Sequence, residues 1–208
     1  MNKSYFILLL LVLTACLRSS DRNGDDSIDD TQQPTEVGCP GGSYPDWDTS
    51  YYVLPYPVGK AYPVNLSHCT SSYHAQGQPD QYAIDFDMPI GTRITVARDG
   101  SVVHVEETGH DGGFPNNLVV IKHFDNTYAL YMHLTFEGAA VAVGDEVLQG
   151  DTLGFSGSTG LAGYPHLHFI VTQGDWQYPY TGVPYNFKNT DPNPRSLEMG
   201  KTYPAYPY

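Results

Sequence analysis

Four side chains carry most of the chemistry this sequence can offer. His166 and His168 are separated only by Leu167. On a strand, residues i and i+2 share a face, so both imidazoles project into one space. The strand follows a Gly- and Ser-rich stretch, 155–165, where a strand end can open onto a cleft. His133 closes an apolar run, 128–134, and period-two alternation puts it on the face of Ala129 and Tyr131. Asp85 is the only acid in the run 82–86, between Ile84 and Phe86. A carboxylate among apolar neighbours needs a partner, because burying an unpaired charge is expensive. A metal ion supplies one. Neutral imidazoles with one carboxylate suit Zn²⁺, whose catalytic sites keep three protein ligands and one water.

Ile84-Asp85-Phe86, Tyr131-Met132-His133-Leu134 and Pro165-His166-Leu167-His168-Phe169 resemble motifs of the LytM/lysostaphin group of zinc peptidases. The spacers between them are similar as well: Gly91-Thr92, Ala97-Arg98-Asp99-Gly100, Asn117 with Val119, Ile121 and His123, Gly144-Asp145, and Gly157-Ser158-Thr159-Gly160. The resemblance runs from Tyr82 to Val171, and its specificity lies in the ordered set rather than in any one motif. It implies a strand-rich roll with a groove and cleavage of peptide bonds in bacterial cell walls. It also implies Asp85 and His168 as zinc ligands. His133 and His166 become the unligated catalytic pair, taking a proton from the zinc-bound water and stabilising the oxyanion. Asn117 and Tyr131 fall where second-shell or substrate contacts are expected, and His123 reads as structural.

One position departs from the pattern. The group's usual first motif has a ligand histidine four residues before the Asp, and here that residue is Gln81, a poor zinc ligand. A lipoprotein-like branch of the group carries its first histidine further upstream, and His74 matches that form; His68 is the alternative. A chain with no third histidine ligand would instead resemble the members that have lost zinc and regulate other wall hydrolases.

The elements that must position these residues are strands. Short apolar runs at 82–86, 93–97, 101–105, 118–124, 127–134 and 166–172 alternate with turn signals, and no window has helical periodicity. Asp99-Gly100 predicts one hairpin and Asp125-Asn126 a second. The expected fold is an all-β antiparallel LytM-like roll or sandwich with a groove, over 81–175. Segments 39–80 and 176–208 are rich in Tyr, Pro and Gly and read as extended wrapping pieces whose rings pack on the sheet.

Composition agrees with strands and turns: 21 Gly, 16 Pro and 17 Tyr in 208 residues. A formal charge of −13 argues against nucleic acid as a partner. Residues 1–15 read as a secretory signal, with Lys3 before an apolar run at 5–13 that is too short to span a bilayer. The run ends in Leu13-Thr14-Ala15-Cys16, which resembles a lipobox and implies a lipid anchor on Cys16. Residues 16–38 then read as an acidic, disordered tether. The expected location is the cell envelope, either the periplasmic face of an outer membrane or the cell surface. Export invites a disulfide between the remaining Cys39 and Cys69, closing a loop of about 30 residues for ~3–4 kcal/mol. A metal site using Cys69 and His68 is the rival, though adjacent residues on an extended chain point apart.

Overall fold

The computed structural model describes residues 37–208. The signal, Cys16 and most of the acidic segment lie outside the described residues. Among those described there is no α-helix, only one 3-10 turn at Ser72–His74 among eleven strands. These are β1 (Ala61–Leu66), β2 (Ile84–Asp87), β3 (Arg93–Thr95), β4 (Gly100–Glu106), β5 (Leu118–Lys122), β6 (Thr127–Met132), β7 (Leu134–Ala139), β8 (Glu146–Val147), β9 (Thr152–Ser156), β10 (His166–Gln173) and β11 (Thr202–Pro204).

Eight strands form one sheet in the order β11-β1-β2-β10-β6-β5-β4-β8, and β3-β9-β7 form a smaller one. Every pairing between these strands is antiparallel. Alternation along the central strands gives the large sheet two different faces. Ile84, Phe86, Val119, Ile121, Ala129, Tyr131, Leu167, Phe169 and Val171 point into the main core. Their neighbours Val120, Leu130, Met132 and Ile170 form a smaller apolar cluster on the opposite face. The histidines and Asp85 line the groove on that second side.

The Asp125-Asn126 hairpin joins β5 to β6 as expected. Asn126 takes φ 61°, which Asn tolerates, and the Asp125 carboxylate accepts the Thr127 N–H. The expected Asp99-Gly100 hairpin does not form. β3 pairs with β9 and β4 pairs with β5 and β8, so this turn carries the chain from the small sheet into the large one. A turn signal specifies a change of direction and leaves the strand's partner to tertiary packing.

The two Tyr/Pro-rich segments do more than wrap. β1 pairs with β2, and β11 pairs with β1, so segments 39–80 and 176–208 extend the same sheet that carries the histidines. Their rings are core residues: the Tyr56 hydroxyl donates to the Tyr203 carbonyl at 2.7 Å and Tyr185 to the Phe169 carbonyl at 3.0 Å. Boundaries at 80 and 176 therefore cut through one sheet and one core. Cys39 and Cys69 are joined as a disulfide.

Candidate metal centre

The register of β10 builds the floor of the site. His168 is paired with Asp85 on β2 and with Met132 on β6. His168 Nδ1 lies 2.9 Å from Asp85 Oδ1. His74 Nε2 reaches the same oxygen at 3.3 Å, and His166 Nε2 stands 3.7 Å from Asp85 Oδ2. All four side chains are buried.

His74 comes from outside the central strands. The chain 67–83 is a succession of tight turns, with Ala75 N–H donating to Ser72 and Gln78 N–H to Ala75. Gln81 does not face the site: its Oε1 accepts the Gly77 N–H at 2.9 Å, while its carbonyl accepts the Cys69 N–H at 2.8 Å. The residue at the usual ligand position thus closes the loop that brings His74 in. His68 is excluded from the site. It is buried among Tyr44, Tyr82 and Tyr185, with Nδ1 3.1 Å from the Tyr44 hydroxyl.

His133 reaches the groove by a backbone irregularity. Strand alternation alone sends it with Ala129 and Tyr131 into the core. Instead it sits between β6 and β7 at φ 67°, a left-handed conformation costing about 1–2 kcal/mol for a residue with a Cβ. Consecutive residues Met132 and His133 consequently both line the groove. The His133 N–H donates to Asn116 Oδ1 at 3.0 Å and its Nδ1 meets the Thr159 carbonyl at 2.7 Å. Gly160, at φ 73°, lets that loop pass: a Cβ there would stand 2.6 Å from Asn116 Cβ.

Two expected second-shell residues are displaced by the same alternation. Tyr131 is fully buried in the main core, its hydroxyl accepting the Ala97 N–H at 2.8 Å. Asn117 is also fully buried and ties loops together through Gly109 and the Thr135 carbonyl. It touches the site only through Thr159, whose Oγ1 accepts the Asn117 N–H. Asn116, one residue earlier, is the asparagine that lines the groove. No motif in the sequence singles it out, nor Asp80, Tyr164 or Tyr180. His123 is structural as expected, its Nδ1 2.8 Å from the Asp99 carbonyl.

Burial pushes the His133 imidazole down to about 3, with the neighbouring His168 and His166 adding to the shift, and burial also lowers His166. Burial alone would lower His168 too, but the Asp80 and Asp85 carboxylates on either edge of the ring outweigh it and hold it up to about 10. Burial alone would raise the Asp85 carboxyl, but the His168 and His74 imidazoles beside it outweigh that and keep it far below the usual range. Asp85 is a carboxylate surrounded by imidazole donors.

Two overlapping sets can hold a metal ion, His74/Asp85/His168 and His133/His166/His168, each with ligand atoms within 4.8 Å of one another. Tetrahedral bonds of about 2.0–2.1 Å put ligand atoms about 3.3 Å apart, the spacing of His74 Nε2 and Asp85 Oδ1. Only the first set includes an anion to offset a dication in a buried site. His133 and His166 have Nδ1 against backbone carbonyls, Thr159 at 2.7 Å and Tyr164 at 2.8 Å. That fixes Nδ1–H and leaves each Nε2 as an acceptor. The donor chemistry fits zinc.

The geometry defines a buried His/Asp cluster able to hold a metal ion in the groove of an all-β fold. Residues 79–179 match the model of Peptidase family M23, and this stretch is an M23 domain homologous to the lysostaphin-type metallopeptidases. His74 and Tyr180 fall outside the matched residues. The chain is 38% identical over 90 residues to the glycyl-glycine endopeptidase ALE-1 of Staphylococcus capitis, covering 43% of this chain and 24% of that protein. It is 39% identical over 91 residues to the peptidoglycan DD-endopeptidase ShyA of Vibrio cholerae, covering 43% and 20%. The chain thus spans about a quarter or less of these relatives. The solved structure of pseudoalterin, an M23 metalloprotease from the deep sea, shares the fold with a TM-score of 0.51 at 17% identity, covering 76% of this chain and 86% of that one.

Proposed function

We propose that this chain is a zinc-dependent endopeptidase acting on the stem or cross-bridge peptides of peptidoglycan. The observation that carries this reading is the convergence of two imidazoles and a carboxylate beside two further imidazoles whose Nε2 atoms are free to accept. His74, Asp85 and His168 would hold the ion. When bound, zinc supplies a Lewis acid and a water acidified to a pKa of ~7.

The chain's own residues do the rest. His133 and His166 are both lowered by burial and so are neutral near pH 7. Either Nε2 can take a proton from the attacking water. Once protonated, it can donate to the developing oxyanion or return the proton to the leaving amine nitrogen. The groove, about 640 Å³, is walled by Tyr73, Phe114, Leu161, Trp176 and Tyr178, and no Lys or Arg is among the described residues lining it. A free terminal carboxylate would find no cation there and two carboxylates on the floor. That favours internal bonds.

The alternative, a zinc-free regulator of other wall hydrolases, draws on Gln81; His74 at 3.3 Å from Asp85 supports the enzyme instead. The lipobox-like Cys16 and the acidic segment behind it support an exported, lipid-anchored enzyme reaching the wall from a membrane. Zinc stoichiometry of the full chain, followed by digestion of purified peptidoglycan with and without chelator, tests the reading. One zinc per chain and chelator-sensitive release of peptide-linked fragments are expected. No zinc after reconstitution would move the function to the regulator.

A further inference from the structure

His168 has a second carboxylate neighbour. Its Nδ1 faces Asp85, while Nε2, on the opposite edge of the ring, is buried without a formed hydrogen bond and stands 3.4 Å from Asp80 Oδ1, the carboxylate oxygen that faces it. Asp80 is only 19% exposed through its side chain, and the Tyr180 hydroxyl donates a hydrogen bond to that same Oδ1. Tyr180 is itself buried, packed in the cluster with Leu130, Met132 and Ile170 on the groove side of the sheet. Asp80 cannot join His168 Nδ1 on one ion, because the two nitrogens diverge from opposite edges of the ring. It can hold the Nε2 proton. That fixes the tautomer in which Nδ1 is the lone-pair donor and stops rotation of the ring about its Cβ–Cγ bond.

We propose that Asp80, oriented by Tyr180, is the positioning carboxylate of the metal centre: it anchors His168 Nε2–H so that Nδ1 is presented to zinc. This rests on the zinc reading above. Carboxylate partners of this kind raise ligand basicity, and removing one typically weakens metal binding about 10–100-fold. The device is built from both ends of the chain's central region. Asp80 lies in the loop that carries His74, and Tyr180 lies near the start of the C-terminal segment, so the two non-central segments meet beside one candidate metal ligand. Burial in that contact gives Tyr180, in an otherwise repetitive Tyr/Pro stretch, a specific role.

The test is zinc affinity of the full chain, by competition with a chromophoric chelator, for wild type, Asp80→Ala, Asp80→Asn and Tyr180→Phe. Each is paired with the metal-free unfolding midpoint and the visible spectrum of the cobalt-substituted protein. Asp80→Ala should bind zinc roughly 10–100-fold more weakly. Asp80→Asn, whose amide oxygen can still accept from Nε2–H, should recover part of that loss. Tyr180→Phe, which removes one oxygen from a packed ring, should lower the metal-free midpoint only by the loss of one hydrogen bond while weakening zinc several-fold and shifting the cobalt spectrum. Wild-type affinity in Asp80→Ala overturns the assignment. If Asp80→Ala fails to fold, Tyr180→Phe decides, and wild-type affinity with an unshifted cobalt spectrum there overturns it equally. Absence of zinc from the wild type would instead be a failure of the zinc reading itself.

Discussion

His168 and Asp85, 83 residues apart in the chain, are direct partners across the β2–β10 pairing, and their side chains meet at 2.9 Å. The contact is set by register, which is why it resists local perturbation: a one-residue slip of β10 would turn both its histidines into the core. The core side of the same strands, Leu167 and Phe169 against Ile84 and Phe86, opposes that slip. Hydrophobic burial on one face thus holds the polar constellation on the other.

Substitutions should divide the five polar residues into two groups. His74→Ala, Asp85→Ala and His168→Ala should each lose zinc, read by metal analysis after dialysis. His133→Ala and His166→Ala should keep it and lose roughly 10²–10⁴ in kcat on a peptidoglycan peptide. Zinc loss in His166→Ala equal to that in His168→Ala would exchange their roles.

Asn116 should matter through His133. Its Oδ1 accepts the His133 N–H in the left-handed turn that brings the ring to the groove. Asn116→Ala should cost about 1 kcal/mol of stability. It should also lower kcat by roughly 10–100-fold by loosening the ring, with zinc stoichiometry intact. Equal activity in the variant would show that the Thr159 contact suffices.

The Cys39–Cys69 bond clamps the loop that delivers His74. Cys39→Ser with Cys69→Ser should lower stability by ~3–4 kcal/mol in denaturant unfolding. Zinc affinity should fall with it, since His74 is held by that loop. Non-reducing peptide mass analysis of the wild type should find the two cysteines linked.

Acid should destabilise the protein in a window owed to buried histidines. Burial lowers His123 to about 4, against an ordinary value near 6.5, and lowers His68 well below it. Above ~6.5 both states are neutral at these sites and nothing is lost. As pH falls from ~6.5 to ~4 the unfolded chain takes up protons that the folded chain refuses, and His123 alone accounts for about 3 kcal/mol. His123→Gln should flatten stability against pH across that interval, measured by urea unfolding at fixed pH steps.

Much of the site was legible before folding. His166 and His168 share a face because strands have period two, and Asp85 stands out as a lone acid between core residues. The metal chemistry follows from the residue types. Positions were misread where the period breaks or where the partner is remote. Alternation assigns His133 to the face of Tyr131, and the φ of 67° at His133 reverses that assignment. Tyr131, expected with Asn117 near the reaction, is a core ring.

The all-β class and the identity of the imidazoles and carboxylate were readable in the sequence, because periodicity and side-chain chemistry are local properties. Tertiary structure alone decided which strands pair across Asp99-Gly100, that His74 rather than His68 meets Asp85, and that Asp80 and Tyr180 close behind His168. Those are contacts between segments far apart in the chain. They are selected by the packing free energy of the whole core, which no short window of sequence contains.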